Sequence, residues 1–450
     1  MNTTHGRQTA GEVLVRRRQV LQGLGALPMA AGLAALSASG PARAQKVATQ
    51  ARIVILGSGL GGIALANRLH AMLDGASITI VDAKEEHNYQ PGFTLVATGI
   101  WPVEKVRDRN ADFLPHGVDW VKEMAVAIDP VARSVTTASG RKLPYDFLVV
   151  ATGLHLDYAQ IEGMDVKAIG SNGLASVYHS PQAAEATWRA MQAFAAKGGQ
   201  AVMTLAGTPL KCAGAPLKMT FMLADRLRQA NTLAASAIRF KSATKTIFSV
   251  PAVNDNVLQR WQALGIGVEY ERKLTGIDIG ARRARFASPG GGEEVADYDF
   301  IHVVPPMRAP DVVKNSDLAV KEGPMAAGGW LEVDKETLQH KRYPNVFGVG
   351  DINGTPRGKT AATIKKSAPI VANHLVQAIR NQPLNEKFDG YTSCPLIVRE
   401  GSAMLIEFDY EGRLTPSLPG VQPLQESFMA WMMKYRMFKP AYMAVLKGRA

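Results

Sequence analysis

The sequence predicts an α/β chain with two Rossmann-like dinucleotide-binding domains and a C-terminal segment that associates with a membrane surface. Three observations predict it. Residues 52–82 read as strand, glycine loop, helix, strand and acid, the order of a dinucleotide-binding unit. A second strand of the same type, Gln200 to Ala206, runs into a loop with a cysteine where a second nucleotide loop would stand. Residues 424–450 then crowd methionines and aromatics among lysines and arginines.

A chain of 450 residues exceeds one ordinary core and suggests two or three domains. The expected divisions are a signal over 1–44, the first domain in two parts at 45–160 and 301–385, the second domain over 161–300, and a C-terminal part over 386–450. The formal net charge is +12, which suits acidic partners such as anionic lipid or a small anion. No run of Lys and Arg with interleaved aromatics is present, so nucleic acid is set aside. No metal is expected.

The first 44 residues read as an export signal. Arg17-Arg18-Gln19-Val20-Leu21-Gln22 resembles the twin-arginine pattern, an uncharged, weakly apolar stretch follows to Ala42, and Ala42-Arg43-Ala44 offers a small-x-small cleavage site. An uncleaved anchor is the alternative, and the Gly, Pro and Ser content makes it a poor one. Without these residues the net charge would fall to +8, because they hold five Arg and one Glu. The implied destination is the periplasm, peripheral to the inner membrane, where a disulfide can persist.

The first unit opens with the strand Arg52 to Leu56 and the loop Gly57-Ser58-Gly59-Leu60-Gly61-Gly62. Gly57 permits the tight turn, Gly59 the approach of a pyrophosphate, and Gly62 the close packing of helix on strand. A helix from Ile63 to Leu73 would point its free N–H groups at the phosphates. The next strand, Ser77 to Val81, ends in Asp82, twenty residues past the last glycine, where a carboxylate can accept from ribose hydroxyls. Two further strands carry landmarks. Tyr145 to Val150 leads into Ala151-Thr152-Gly153, and Tyr343 to Val349 into Gly350-Asp351. Their order resembles the glutathione-reductase-like flavoproteins, which makes FAD the implied dinucleotide and places Asp351 at its ribityl chain.

The second unit departs from this pattern. After Gln200 to Ala206 the chain reads Gly207-Thr208-Pro209-Leu210-Lys211-Cys212-Ala213-Gly214-Ala215-Pro216, then a helical run from Leu217 to Gln229. Prolines and large side chains would block the backbone from a pyrophosphate, so a nicotinamide site is not expected. Pro216 suits a first helical turn, and the helix start with Lys211 beside Cys212 should favour a thiolate. The second cysteine, Cys394, lies in the first arm of an expected hairpin, Tyr391 to Tyr410, with Glu400-Gly401 at its turn. Beyond it, Lys434, Arg436, Lys439 and Lys447 stand among Phe428, Met429, Trp431, Tyr435, Met437 and Tyr442. Such a stretch suits a membrane surface, cations on lipid phosphates and aromatics in the acyl boundary. A C-terminal segment docked on the core is the alternative.

With these residues in view, the chain from Arg52 onward resembles the sulfide:quinone oxidoreductases, in particular the subgroup that includes the mitochondrial enzymes. The motifs that carry the resemblance are His87-Asn88-Tyr89-Gln90-Pro91, Lys211 to Pro216, His302 to Met307, Val333 to His340, Lys359-Thr360-Ala361-Ala362 and Thr392-Ser393-Cys394-Pro395-Leu396. It implies monotopic FAD enzymes that oxidise sulfide and reduce a quinone. Cys212 and Cys394 would be the redox pair, and Leu60, Gly61, Asp82, Gln90, Ala125 through its backbone, Asp351, Lys359 and Thr360 would lie at FAD. Lys359 would stabilise the reduced flavin, and Lys218 matches a lysine near the quinone end of the ring. Many relatives carry a third cysteine near Ser176; here the matching position is Ala175.

The implied chemistry is attack of hydrosulfide on a Cys212–Cys394 bridge, leaving sulfane sulfur on Cys394 and a thiolate on Cys212 that reduces the flavin. A purely structural bridge would close 182 residues, worth on the order of 5 kcal/mol in a chain-entropy account. Two other readings are the flavoprotein subunit of a flavocytochrome c sulfide dehydrogenase and a non-catalytic sulfane-sulfur carrier. No C-x-x-C-H haem motif is present. The sulfur acceptor and any homo-oligomer are left open.

Overall fold

A computed structural model describes residues 45–449; the export signal expected over 1–44 lies outside them. Two five-stranded parallel sheets organise the chain. The first runs Val346–Gly348, Phe147–Val150, Arg52–Leu56, Ser77–Val81, Val118–Val121. The second runs Leu174–Ala175, Phe300–His302, Gly199–Leu205, Ser236–Ser242, Gly267–Glu269. Phe300–His302 straddles the edge expected at residue 300. Each sheet is followed by an antiparallel three-stranded one, Ala125–Asp129 with Ser134–Thr137 and Lys142–Pro144, and Lys273–Asp278 with Arg283–Ala287 and Glu293–Asp297.

The short parallel strands are runs of β-branched and aliphatic residues, as strands covered on both faces require. Ile53, Ile55, Leu56, Leu148, Val149 and Val346 are all buried. The helix on the first sheet spans Leu60–Met72 and starts three residues before the expected Ile63. The glycines belong to its first turn. A Cβ on Gly62 would stand 1.9 Å from the Gly57 carbonyl oxygen, and one on Gly61 would stand 2.9 Å from Val349 Cγ1, so loop, helix and the strand Val346–Gly348 close on each other only without side chains. The helix Ala361–Ile379 packs against it, its N-terminus capped by Thr360, which accepts from the Thr363 amide.

In the second unit the helix spans Ala215–Gln229, with Pro216 in its first turn. The expected hairpin pairs Thr392–Arg399 with Ser402–Phe408, Cys394 opposite Ile406. Gly401 takes a positive φ of 81° at its turn, a conformation glycine adopts freely. This hairpin packs on the helix Ala215–Gln229.

The C-terminal segment corrects one expectation. It folds as Phe428–Met432, a π-helical turn Met433–Met437, and Phe438–Leu446, and much of it docks on the core. Trp431, Tyr442, Val445 and Leu446 are buried, as is Lys434. Lys439 pairs with Asp108 at 3.0 Å. These two lysines therefore face protein where the sequence placed them on lipid, because carbonyl and carboxylate partners offset their desolvation. Phe428, Met429 and Met437 remain exposed. Among the described residues no helix is long and apolar enough to cross a membrane.

Replacing Gly62 with Ala should lower stability by about 1–3 kcal/mol through overpacking against the Gly57 carbonyl. Thermal unfolding of the Gly62→Ala protein should show the drop, and an unchanged midpoint would mean the loop has room that the backbone denies.

Candidate active site

Both cysteines meet at the junction of the second unit, the hairpin and the C-terminal segment. Cys212 sits just before the helix Ala215–Gln229 with a positive φ of 47°. A side chain in that region is strained, at roughly 1–3 kcal/mol, so surrounding bonds must hold it. They are present. The Cys212 amide donates to the Lys359 carbonyl at 2.9 Å, and its own carbonyl accepts from the Ala215 amide at 2.7 Å and from the Tyr178 hydroxyl at 3.2 Å. Cys394 approaches from the hairpin over Gly214, where a Cβ would fall 2.1 Å from its sulfur. The glycine of the Lys211–Pro216 motif is thus a vacancy kept for the second thiol.

Both thiols are free, and each acts strongly on the other's ionisation. Interaction with Cys394 pulls the Cys212 thiol well below its ordinary range, Lys218 and Lys434 adding to it against burial. The same interaction pushes Cys394 up, with burial in the same direction. The pair therefore divides into a thiolate and a thiol. The Lys218 ammonium donates to Cys212 Sγ at 3.3 Å. Burial opposes its charge, but the two sulfurs outweigh burial and raise its pKa.

The cation expected beside the thiolate was Lys211. The structure puts Lys218 there, because one helical turn returns its side chain to the loop. Lys211 instead donates to Gln90 Oε1 at 2.8 Å and has a pKa lowered to about 8, chiefly by burial. Lys434 is the residue that sequence reasoning assigned elsewhere. Its ammonium donates to the Pro91 carbonyl, and burial, with repulsion from Lys218, lowers its pKa to about 7. Nothing in the local sequence separates Lys434 from the other cations of a basic, aromatic segment. Tyr178 and Trp330 were also missed, since neither lies in a motif.

The residues expected to hold a dinucleotide gather at the ends of the first sheet. Gly57 turns with φ 104°, and a Cβ there would strike the Ala151 carbonyl oxygen at 2.4 Å. A Cβ on Gly59 or Gly153 meets nothing within 4 Å, so both backbones border open space. Thr152 Oγ1 is buried without a partner. No side chain caps the start of the helix Leu60–Met72, leaving its amides free for phosphate. Asp82 accepts from Ser58 and the Lys84 amide. Gly350 takes a φ of 85°, and burial raises the pKa of Asp351. The open glycine surface, unpaired hydroxyl and uncapped helix fit a dinucleotide. Ala125 begins the first antiparallel sheet.

Lys359 joins the two halves. Its ammonium donates to the Asp351 and Asn353 carbonyls at 2.5 and 2.9 Å, lies 3.7 Å from the Trp330 ring centre, and has a pKa lowered to about 7 by burial. A cavity of about 280 Å³ opens at the C-terminal ends of Gly199–Leu205 and Ser236–Ser242 and reaches both cysteines, with Thr208, Ser249 and Arg357 on its wall. A crevice outside the carboxyl ends of parallel strands is where such sheets bind ligands.

Residues 51–201 match the model of the pyridine nucleotide-disulphide oxidoreductase family. The chain is 35% identical to the mitochondrial sulfide:quinone oxidoreductase of Mus musculus over 87% of this chain and 85% of that one. It is 36% identical to that of Dictyostelium discoideum, over 90% and 88%. The chain belongs to the sulfide:quinone oxidoreductase family. The solved sulfide:quinone oxidoreductase of Aquifex aeolicus superposes with a TM-score of 0.73 at 22% identity, covering 88% of this chain and 92% of that one, which shows the same fold. Sulfide:quinone oxidoreductases are FAD enzymes, and the residues at the first sheet are those available to hold it.

In the reduced protein Cys212 should be thiolate at neutral pH. Its thiolate absorbance should persist on acidification well below the free-thiol range near pH 8.5. Cys394→Ala removes the partner thiol and should return the transition toward that range; a parent titrating as a free thiol would refute the assignment.

Proposed function

We propose that this chain oxidises sulfide to sulfane sulfur on the Cys212–Cys394 pair and delivers two electrons through FAD to a membrane quinone. The observation that carries the reading is the cysteine pair itself, Cys394 packed over Gly214 beside Cys212 with the Lys218 ammonium on the Cys212 sulfur. In the oxidised state hydrosulfide attacks the bridge at Cys394. The new S–S bond forms there, the old one breaks, and Cys212 leaves as a thiolate. Departure from Cys212 is favoured because Lys218 and Lys434 stabilise its anion. An external sulfur nucleophile then takes the sulfane sulfur and leaves the dithiol. Re-forming the bridge releases two electrons and the Cys394 proton. FAD held by the residues of the first sheet would supply the two-electron acceptor between this pair and quinone. Lys359, whose ammonium lies on the Asp351 carbonyl, would place positive charge where that acceptor gains negative charge.

The site roles rest on this arrangement: Cys212, Cys394, Lys218 and Lys359 in the chemistry, and Gly57 to Gly62, Asp82, Gln90, Ala125, Ala151 to Gly153, Gly350, Asp351 and Thr360 around FAD. Thr360 acts there as the cap that starts a helix. Ala175, buried in the edge strand of the second sheet, leaves sulfur handling to two thiols.

Anaerobic sulfide should bleach the oxidised flavin, a short-chain quinone should restore it, and NADH should do nothing. Cys212→Ser should slow bleaching by about 100-fold or more. Bleaching at the parent rate in that variant, or reoxidation by cytochrome c in preference to quinone, would overturn the proposal.

We place the enzyme on the periplasmic face of the inner membrane, exported by the twin-arginine route. The arginine pair and the exposed Phe428, Met429 and Met437 beside Arg436 support it. Fractionation should find the parent in the periplasmic membrane fraction. Arg17→Lys with Arg18→Lys should hold it in the cytoplasm, and Ser at Phe428, Met429 and Met437 should release it to the soluble fraction. Unchanged distribution in either variant contradicts the corresponding half of the assignment.

A further inference from the structure

A buried line of hydrogen bonds connects the C-terminal helix to Asp82. The Tyr442 hydroxyl lies 2.8 Å from His87 Nε2, and His87 Nδ1 lies 2.8 Å from Asn110 Oδ1. Asn110 Nδ2 donates to Ser58 Oγ at 2.7 Å and to the Lys84 carbonyl at 2.6 Å. Ser58 Oγ donates to Asp82 Oδ2 at 2.9 Å. His87, Asn110, Ser58 and Tyr442 are 3%, 1%, 1% and 8% exposed, so water cannot stand in for a lost partner.

The direction of every bond is fixed. A carbonyl only accepts, so the Asn110 NH₂ faces Lys84 and its oxygen faces His87. His87 Nδ1 must then carry the proton. Burial lowers the His87 pKa and keeps the ring neutral, which leaves Nε2 to accept from Tyr442. All donors point toward the carboxylate, an arrangement in which each bond polarises the next. The same helix is held on this side by Asn67, which donates to the Leu446 carbonyl at 3.0 Å, and by the Lys439–Asp108 pair.

We infer that Tyr442 is a positioning residue for Asp82, acting through His87, Asn110 and Ser58, so that docking of the C-terminal helix sets how firmly the dinucleotide is held. The inference rests on the reading of Asp82 as the carboxylate that takes the ribose. It gives the His87-Asn88-Tyr89-Gln90-Pro91 motif a task that the sulfur chemistry does not use. It also makes the docked C-terminal helix part of the cofactor site.

The test is FAD release from the holoprotein, followed by flavin fluorescence after dilution. Tyr442→Phe should accelerate release about 3–10-fold, as expected for one buried hydrogen bond, and the acceleration should vanish in an Asp82→Asn background. Lys439→Met, which breaks the ion pair that docks the same helix, should also accelerate release, and that acceleration should shrink in the Asp82→Asn background. Imidazole ¹⁵N spectra should show His87 neutral with its proton on Nδ1, and Tyr442→Phe should shift Nε2 alone. Unchanged release in Tyr442→Phe, an equal acceleration with Asp82→Asn present, or a proton on Nε2 would each overturn the relay. If Asp82→Asn itself releases FAD at the parent rate, the ribose reading fails instead.

Discussion

The hydrogen bond from the Cys212 amide to the Lys359 carbonyl is the joint on which the site depends. It belongs to two parts of the chain with different tasks. On one side it holds a cysteine in the left-handed region, which the Tyr178 hydroxyl and the Ala215 amide secure. On the other it fixes the backbone of a lysine whose ammonium gathers the carbonyls after Gly350. The cysteine loop and the turn after Gly350 are therefore held by opposite ends of a single residue. Strain at Cys212 persists because several bonds over-determine it.

Electrostatics makes the arrangement work. Lys218, Lys359 and Lys434 are 2%, 6% and 2% exposed, and a buried ammonium without a partner costs several kcal/mol. Each has a partner: a thiolate for Lys218, and backbone carbonyls for Lys359 and Lys434. Burial works against the charge on all three, and on Lys434 repulsion from Lys218 pulls in the same direction. The anion on Cys212 is what keeps Lys218 charged. Thiolate and ammonium stabilise each other, so the low pKa of one sulfur and the raised pKa of its lysine are a single fact seen from two sides.

The C-terminal segment serves two environments. Its outer face presents Phe428, Met429 and Met437 to solvent, while its inner face sends Lys434 to the thiols and Tyr442 to His87. The π-helical turn Met433–Met437 separates these duties. An extra residue in one turn shifts the angular position of everything after it, so Lys434 and Tyr442 can both point inward.

The sequence by itself determined both parallel units, the glycine loop with Asp82, the hairpin and the cysteine that stands in place of a nucleotide turn. These are legible because local spacing encodes them: glycines where backbones touch, β-branched runs where strands are covered twice. It misjudged where the first helix begins, since glycines read as loop even when they form a first turn. Tertiary structure alone decided which lysine faces Cys212, that Gly214 clears room for Cys394, and that Lys434 turns inward. Those outcomes depend on contacts between residues far apart in the chain, at Lys211 and Gln90, Cys212 and Lys359, Lys434 and Pro91. A periodic pattern reports which face of an element is apolar, but a buried charge is placed by the partner that another element brings to it.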